Sequence, residues 1–170
     1  KKVGVSGGFD GVVYTPIKKE GDSFKDILVG SKVTIDTAKV NSKNSARDEK
    51  LAKFFFGMMN SKNIEAKIIS IKAEKTPKGA PRGGVVDVEI SMNGIKKVTQ
   101  MKYVYGEDLM FNASGTIDLA DFDASKAVSS INQACYNLHE GKTWSEVGIS
   151  FKTKIEATLC NAKPLVDAKH

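Results

Sequence analysis

Few side chains in this sequence are of the types that do chemistry, and their spacing builds no recognisable site. There are two histidines, His139 and His170, and two cysteines, Cys135 and Cys160. A nucleophile needs a base within hydrogen-bond reach and a third group to orient that base, and no Ser-His-Asp or Cys-His pattern supplies them. Two thiols are too few for a disulfide framework, and their spacing fits no zinc motif. Gly141-Lys142-Thr143 matches the end of a phosphate-binding loop, but Tyr136 stands where that loop's first glycine belongs. Asp118, Asp121 and Asp123 have the flavour of calcium ligands, yet the glycine and closing glutamate of a helix-loop-helix calcium site are missing, so they read as turn and capping residues. No catalytic residue, catalytic cofactor or metal site is expected, and the chain reads as a protein other than an enzyme.

The conspicuous run is apolar: Phe54-Phe55-Phe56-Gly57-Met58-Met59. Leu51, Phe54, Phe55 and Met58 fall at i, i+3, i+4 and i+7, one face of a helix. Phe56 and Met59 then project elsewhere. A short helix greasy on all sides suits the lining of an apolar cavity or a subunit interface, and methionine adapts to irregular apolar surfaces.

Composition narrows the class. The 170 residues suit one domain spanning 1–170, and 41% hydrophobic with 27% charged residues describes a globular chain. No apolar run approaches the roughly 20 residues that cross a bilayer as a helix. The formal charge of +6 would suit nucleic acid, an anionic surface or plain solubility. The lysines are scattered, and only Arg47 and Arg82 can fork a phosphate, so no nucleic-acid partner is expected. No signal peptide is visible, which leaves open a cytosolic protein and a secreted one whose signal has been removed. Composition likewise leaves Cys135 and Cys160 as either free thiols or one disulfide.

The elements that must position the apolar residues are mostly strands. Period-two alternation marks Val33–Thr37, Val86–Met92, Met101–Tyr105, Leu109–Ala113 and, longest and cleanest, Val147–Ala157. Asn93-Gly94 predicts a type I′ hairpin, because both residues tolerate positive φ. Gly106-Glu107-Asp108 makes the next turn, and residues 76–84 a longer loop. Two helices interrupt the meander, near Arg47–Met59 with Ser45 and Asp48 as a capping pair, and Ala124–Leu138 with Asp123 as N-cap. Strands joined by short turns give an antiparallel meander that closes into a barrel or folds as a sandwich.

In order and spacing these segments resemble the YceI family of secreted, lipocalin-like barrels. The likeness runs from near Gly8-Phe9-Asp10-Gly11 to about Ala157. It is carried by Val33-Thr34-Ile35-Asp36, by Arg47-Asp48 with Leu51 and Phe55-Phe56, by Val88–Lys97, by Ala113–Phe122 and by Glu146–Ala157. Ile95 stands where the family usually has Thr, and the family's opening strand with its Asp-x-x-His-Ser pattern would precede Gly8. The resemblance implies an extended antiparallel barrel of about eight strands with a long apolar tunnel. It also implies periplasmic or secreted location, a homodimer, and an isoprenoid, quinone or fatty-chain ligand. An oxidising compartment would let Cys135 and Cys160 pair. On the inner faces so assigned, the tunnel is lined by Phe55, Phe56, Met58, Met59, Ile68, Ile90, Met101, Tyr103, Phe111, Ile149 and Phe151, with Ile149, Phe151 and Ile155 inward and Lys152 and Lys154 outward. Tyr103 would offer a head group one hydrogen bond, and nearby lysines would favour an anionic one. The function expected is a carrier or binding protein for a long apolar lipid. The competing readings are an enzyme that modifies an isoprenoid lipid and a basic surface- or nucleic-acid-binding protein.

Overall fold

The structure is a computed structural model that describes residues 6–17, 23–134 and 145–154. Strands β1 (Gly8–Phe9) and β4 (Val40–Asn41) form a small antiparallel pair. The main sheet is one antiparallel sheet of seven strands: β2 (Val13–Thr15), β3 (Lys32–Asp36), β5 (Asn63–Glu74), β6 (Arg82–Met92), β7 (Ile95–Tyr105), β8 (Met110–Asp118) and β9 (Glu146–Lys154), neighbours in that order. It curls into a half-barrel with β2 and β9 at its two sides, a lipocalin-like architecture. This is close to the expected barrel of about eight strands.

Alternation fixes which face is inside. On β6 the residues Gly84, Val86, Val88, Ile90 and Met92 are buried while their neighbours are half-exposed. A one-residue slip would reverse every side chain. On β9 Val147, Ile149 and Phe151 are half-buried, and Lys152 and Lys154 are exposed, as the pattern predicts.

The longest strand, β5, has no clean alternation in the sequence, and a bulge is the reason. Ile68 pairs with Val88 but Ser70 pairs with Asp87, so Ile69 is an extra residue and the inward phase shifts from Ile64, Ala66 and Ile68 to Ile71 and Ala73. Beyond Lys32 the strand β3 gives way to α1 (Phe24–Leu28), whose following turn binds β5 through Gly30 N–H to the Ile68 carbonyl (2.7 Å) and Ile68 N–H to the Ser31 carbonyl (3.0 Å). Helix α1 is capped by the Ser23 hydroxyl, which accepts from Asp26 N–H, and it buries Ile27 and Leu28 in the core.

Asn93 and Gly94 both have positive φ, 55° and 77°, as a type I′ turn requires. Asn93 does more than turn the chain. It is buried; its Oδ1 accepts from Asn60 N–H (2.7 Å), and its Nδ2 donates to the carbonyls of Phe122 (2.8 Å) and Asp123 (3.1 Å). The β6–β7 hairpin is thereby tied to both helical segments.

Those segments depart from the expected boundaries. Helix α2 (Ser45–Lys50) is capped by Asn44, whose Oδ1 accepts from Arg47 N–H, and not by Ser45. Asp48 instead accepts from the backbone N–H and the hydroxyl of Ser42, at 2.8 and 2.6 Å. The expected N-cap Asp123 is left-handed (φ 52°) at the end of the 3-10 turn Leu119–Phe122, and helix α3 (Ser125–Ala134) begins two residues later. Asp118 caps that 3-10 turn, accepting from Ala120 N–H. Leu109, read as strand, sits in the β7–β8 turn with φ 64° and is exposed, whereas Arg82–Gly84, read as loop, already belongs to β6. Cys135, His139, Ile155, Cys160 and His170 lie outside the described residues.

Candidate ligand-binding site

The concave face of the sheet is mostly apolar from β5 to β9. Its floor is a row of aromatic rings: Tyr103 stacks on Phe111 with centroids 5.0 Å apart, and Phe111 lies 5.6 Å from Phe151. Two glycines make room for this row. A Cβ on Gly84 would run into the Lys72 carbonyl oxygen and stand 2.9 Å from Tyr103 Cε1. A Cβ on Gly115 would stand 2.9 Å from Met101 Cγ. Large side chains on β7 thus lie over glycines on the adjacent strands β6 and β8.

Burial is uneven across this face. Val86, Met101, Tyr103 and Phe111 are 0–3% exposed, so the β6–β8 floor is tightly packed. Val147, Ile149 and Phe151 point to the same side from β9 but are only half-buried. The apolar face therefore stays partly open along β9.

Helical segments cover one end. The chain from Leu51 to Met58 packs against α3, and Phe56 sits edge-on to Phe55 (4.8 Å) and Phe9 (5.6 Å). Leu51–Phe55 is a π-helical turn in which Phe56 N–H donates to the Leu51 carbonyl, five residues back. One residue more per turn delays the phase of everything after it. Hence Met59 is buried at 9% exposure and Met58 is 50% exposed, the reverse of an uninterrupted α-helix. Met58 is therefore not part of the lining. Of the other expected residues, Phe55, Met59, Ile68, Ile90, Met101, Tyr103 and Phe111 come together in the core, with Phe56, Ile149 and Phe151 packed half-buried against it. The two glycines, the bulge at Ile69 and the clamp at Asn93 were not foreseen; of these, Asn93-Gly94 alone carried a signal, and it pointed to the turn.

At the end of the face away from Asn93, cross-strand pairs place Arg82 opposite Tyr105 and Gly84 opposite Tyr103. Burial raises the pKa of both phenols; Arg82 partly offsets this, with Glu74 adding to the rise at Tyr103 and Asp108 at Tyr105. Both stay protonated at neutral pH and keep a hydroxyl to donate. On the convex face Lys32, Glu65, Lys67, Glu89, Ser91 and Lys96 line a shallow charged depression, with Lys32 Nζ 3.7 Å from Glu65 Oε2 and both side chains about half-exposed. Alternating signs on a solvated sheet face neutralise each other and make no site. Among the described residues no three His, Cys, Asp or Glu side chains cluster to hold a metal, and no helix is long and apolar enough to cross a membrane.

No curated protein matches the sequence. Among solved structures the chain is similar to the Campylobacter jejuni YCEI protein, with TM-score 0.61 and 20% identity over 90% of this chain and 85% of that one. It is also similar to Burkholderia cenocepacia BcnA, with TM-score 0.61 and 16% identity over 88% and 87% of the two chains. A polyisoprenoid binding domain from Saccharophagus degradans, implicated in plant cell wall breakdown, aligns with TM-score 0.49 and 12% identity over 86% and 94%. The model of the YceI-like domain matches residues 3–156, and with a half-barrel of the same lipocalin-like kind beneath that match, this chain belongs to the YceI-like family.

Proposed function

We propose that the protein binds a long apolar lipid, an isoprenoid, quinone or fatty chain, on its concave face and carries it without chemical change. The observation that carries this reading is the half-buried apolar row Val147, Ile149 and Phe151, which continues a packed aromatic floor but lacks a full cover of its own. A soluble protein keeps such a surface open at a cost of about 25 cal/mol for every Å² left in water, a cost that a ligand chain removes. Each buried methylene contributes about 0.8 kcal/mol. A chain of roughly 15 buried carbons therefore gains about 12 kcal/mol before the costs of association. Strong polar contacts are unnecessary. The ionisable side chains on the inner register of β6 and β7 are Arg82, Lys97, Tyr103 and Tyr105, cations and buried phenols suited to holding a head group. Family membership supports the same reading.

The proposal includes export to an oxidising compartment and a homodimer. Exposed Val12, Val13 and Ile17 along the edge strand β2 would suit a dimer contact. Native mass spectrometry of the purified protein tests the ligand. A co-purifying long-chain lipid recovered intact is the expected result. Absence of lipid together with failure to take up any long-chain probe overturns the binding reading, and turnover of the bound lipid overturns the carrier reading. Sedimentation showing only monomer at micromolar concentration overturns the dimer, and recovery of the full-length gene product in the cytosolic fraction overturns export.

A further inference from the structure

The barrel wall has a seam. Strand β6 pairs with β7 along its whole length, from Arg82–Tyr105 to Met92–Ile95, and β8 pairs with β9 from Met110–Lys154 to Asp118–Glu146. Between them, β7 and β8 share a ladder only from Lys102–Ser114 to Tyr105–Phe111. The rest of β7, Ile95–Met101, and the rest of β8, Gly115–Asp118, are not laddered to each other. Past the far end of this stretch, Asn93 Nδ2 donates to the Phe122 carbonyl. The unladdered stretch is thus bounded at both ends.

One charged side chain stands on the inner register of this unladdered stretch. Lys97 pairs with Ile90, and cross-strand partners point to the same face. Ile90 is 5% exposed and belongs to the core. The same β7 row runs Tyr103, Met101, Thr99, Lys97: the first two are 2% and 3% exposed, Thr99 is half-buried and Lys97 is exposed. Its ammonium thus reaches water from the inner side of the sheet. Among the described residues no carboxylate lies within ion-pair distance of it. Lys96, its neighbour, pairs with Ser91 and belongs to the convex face.

Resting on the lipid-binding reading above, we propose that Lys97 is the head-group residue of a lateral site at the β7–β8 seam, selecting lipids with an anionic head, a carboxylate or a phosphate. The tail would run inward past half-buried Thr99 toward the half-buried β9 row. An inward cation on an unpaired stretch of strand also guards that stretch against pairing with another chain. That protective role predicts no preference among lipid head groups, so binding separates the two.

The test uses four probes in titration calorimetry: palmitate and hexadecanol, geranylgeranyl phosphate and geranylgeraniol. In Lys97→Gln the affinity for both anions falls about tenfold, as loss of one partly exposed charge-assisted contact would give, while both alcohols change less than twofold. Lys97→Arg restores anion binding, and Lys96→Gln alters nothing. A fall for phosphate alone or for carboxylate alone supports the site and identifies its head group. Equal loss for all four probes, or no loss for either anion in a wild type that binds them, overturns the head-group role and leaves the lipid-binding reading standing. A wild type that binds none of the four overturns that reading and the site with it.

Discussion

The ring of Tyr103 lies across Gly84, its cross-strand partner, so closely that a Cβ at Gly84 would stand 2.9 Å from Tyr103 Cε1 while running into the Lys72 carbonyl oxygen on the other side. The tyrosine can reach its stack with Phe111 only because residue 84 has no side chain. Aromatic cover of a strand glycine offsets what that glycine loses in packing and backbone entropy.

Gly84→Ala should therefore destabilise the protein by about 1–3 kcal/mol, the usual range for overpacking a core, since one of the colliding atoms is backbone and cannot swing aside. Gly148→Ala is the control. Gly148 sits in β9 facing solvent, and a Cβ there would meet nothing within 4 Å. It should be neutral or stabilising by up to about 1 kcal/mol through the unfolded state. Urea midpoints of the two variants check this; equal shifts would refute the packing account.

The legible parts of the fold were those in which one rule acts alone. Strands β6, β8 and β9 and the Met101–Tyr105 part of β7 alternate without interruption, and Asn93-Gly94 has one conformation available to a tight hairpin. Legibility failed where an extra residue shifts the phase. Ile69 in β5 hides the longest strand by putting two isoleucines side by side, and the π-helical turn at Leu51–Phe55 exchanges the roles of Met58 and Met59. Capping failed for a different reason: Asn44 and Ser45 are both competent caps, and Asp48 is taken by Ser42. The openness of the β9 row and the seam at Lys97 are properties of strand register across the sheet, which no local pattern encodes.

The methionine exchange is itself testable. Met59→Ala should cost about 2–5 kcal/mol, the range for truncating a buried Met or Leu. Met58→Ala should stay within about 0.5 kcal/mol, as for an exposed position. Thermal or denaturant unfolding of the two single variants decides it. A larger loss at position 58 would mean that the helix runs on without the π-helical turn.

Tyr103 and Tyr105 give the stability an alkaline limit. Burial, the largest cause, raises both pKa values above the ordinary value of 10.0. A folded pKa above the unfolded one means that the native state holds protons the unfolded chain has released. That stability is fully present below about pH 10 and is lost as pH rises through the native pKa values. Unfolding free energy should fall above about pH 10, and Tyr103→Phe should flatten the fall. The absorbance change of phenolate formation should also lag that of a denatured sample. A profile unchanged by Tyr103→Phe would refute the contribution assigned to its burial.

The last prediction separates an occupied face from a packed one. Phe111 is fully buried between Tyr103 and Phe151, so Phe111→Trp should overpack and cost about 1–3 kcal/mol. Ile149 points to the same side from β9 but is half-buried and opposite Gly115. If a lipid chain lies there, Ile149→Trp fills the ligand's space instead of the protein's. Stability without lipid should then change by less than about 1 kcal/mol, while the longest fatty acid bound at full affinity becomes shorter. Saturated fatty acids of increasing length, titrated into wild type and Ile149→Trp, give the cut-off for each. An unchanged cut-off means that the chain lies elsewhere. If Ile149→Trp instead destabilises as much as Phe111→Trp, the β9 row is ordinary core, filled by its own side chains as small barrels can be.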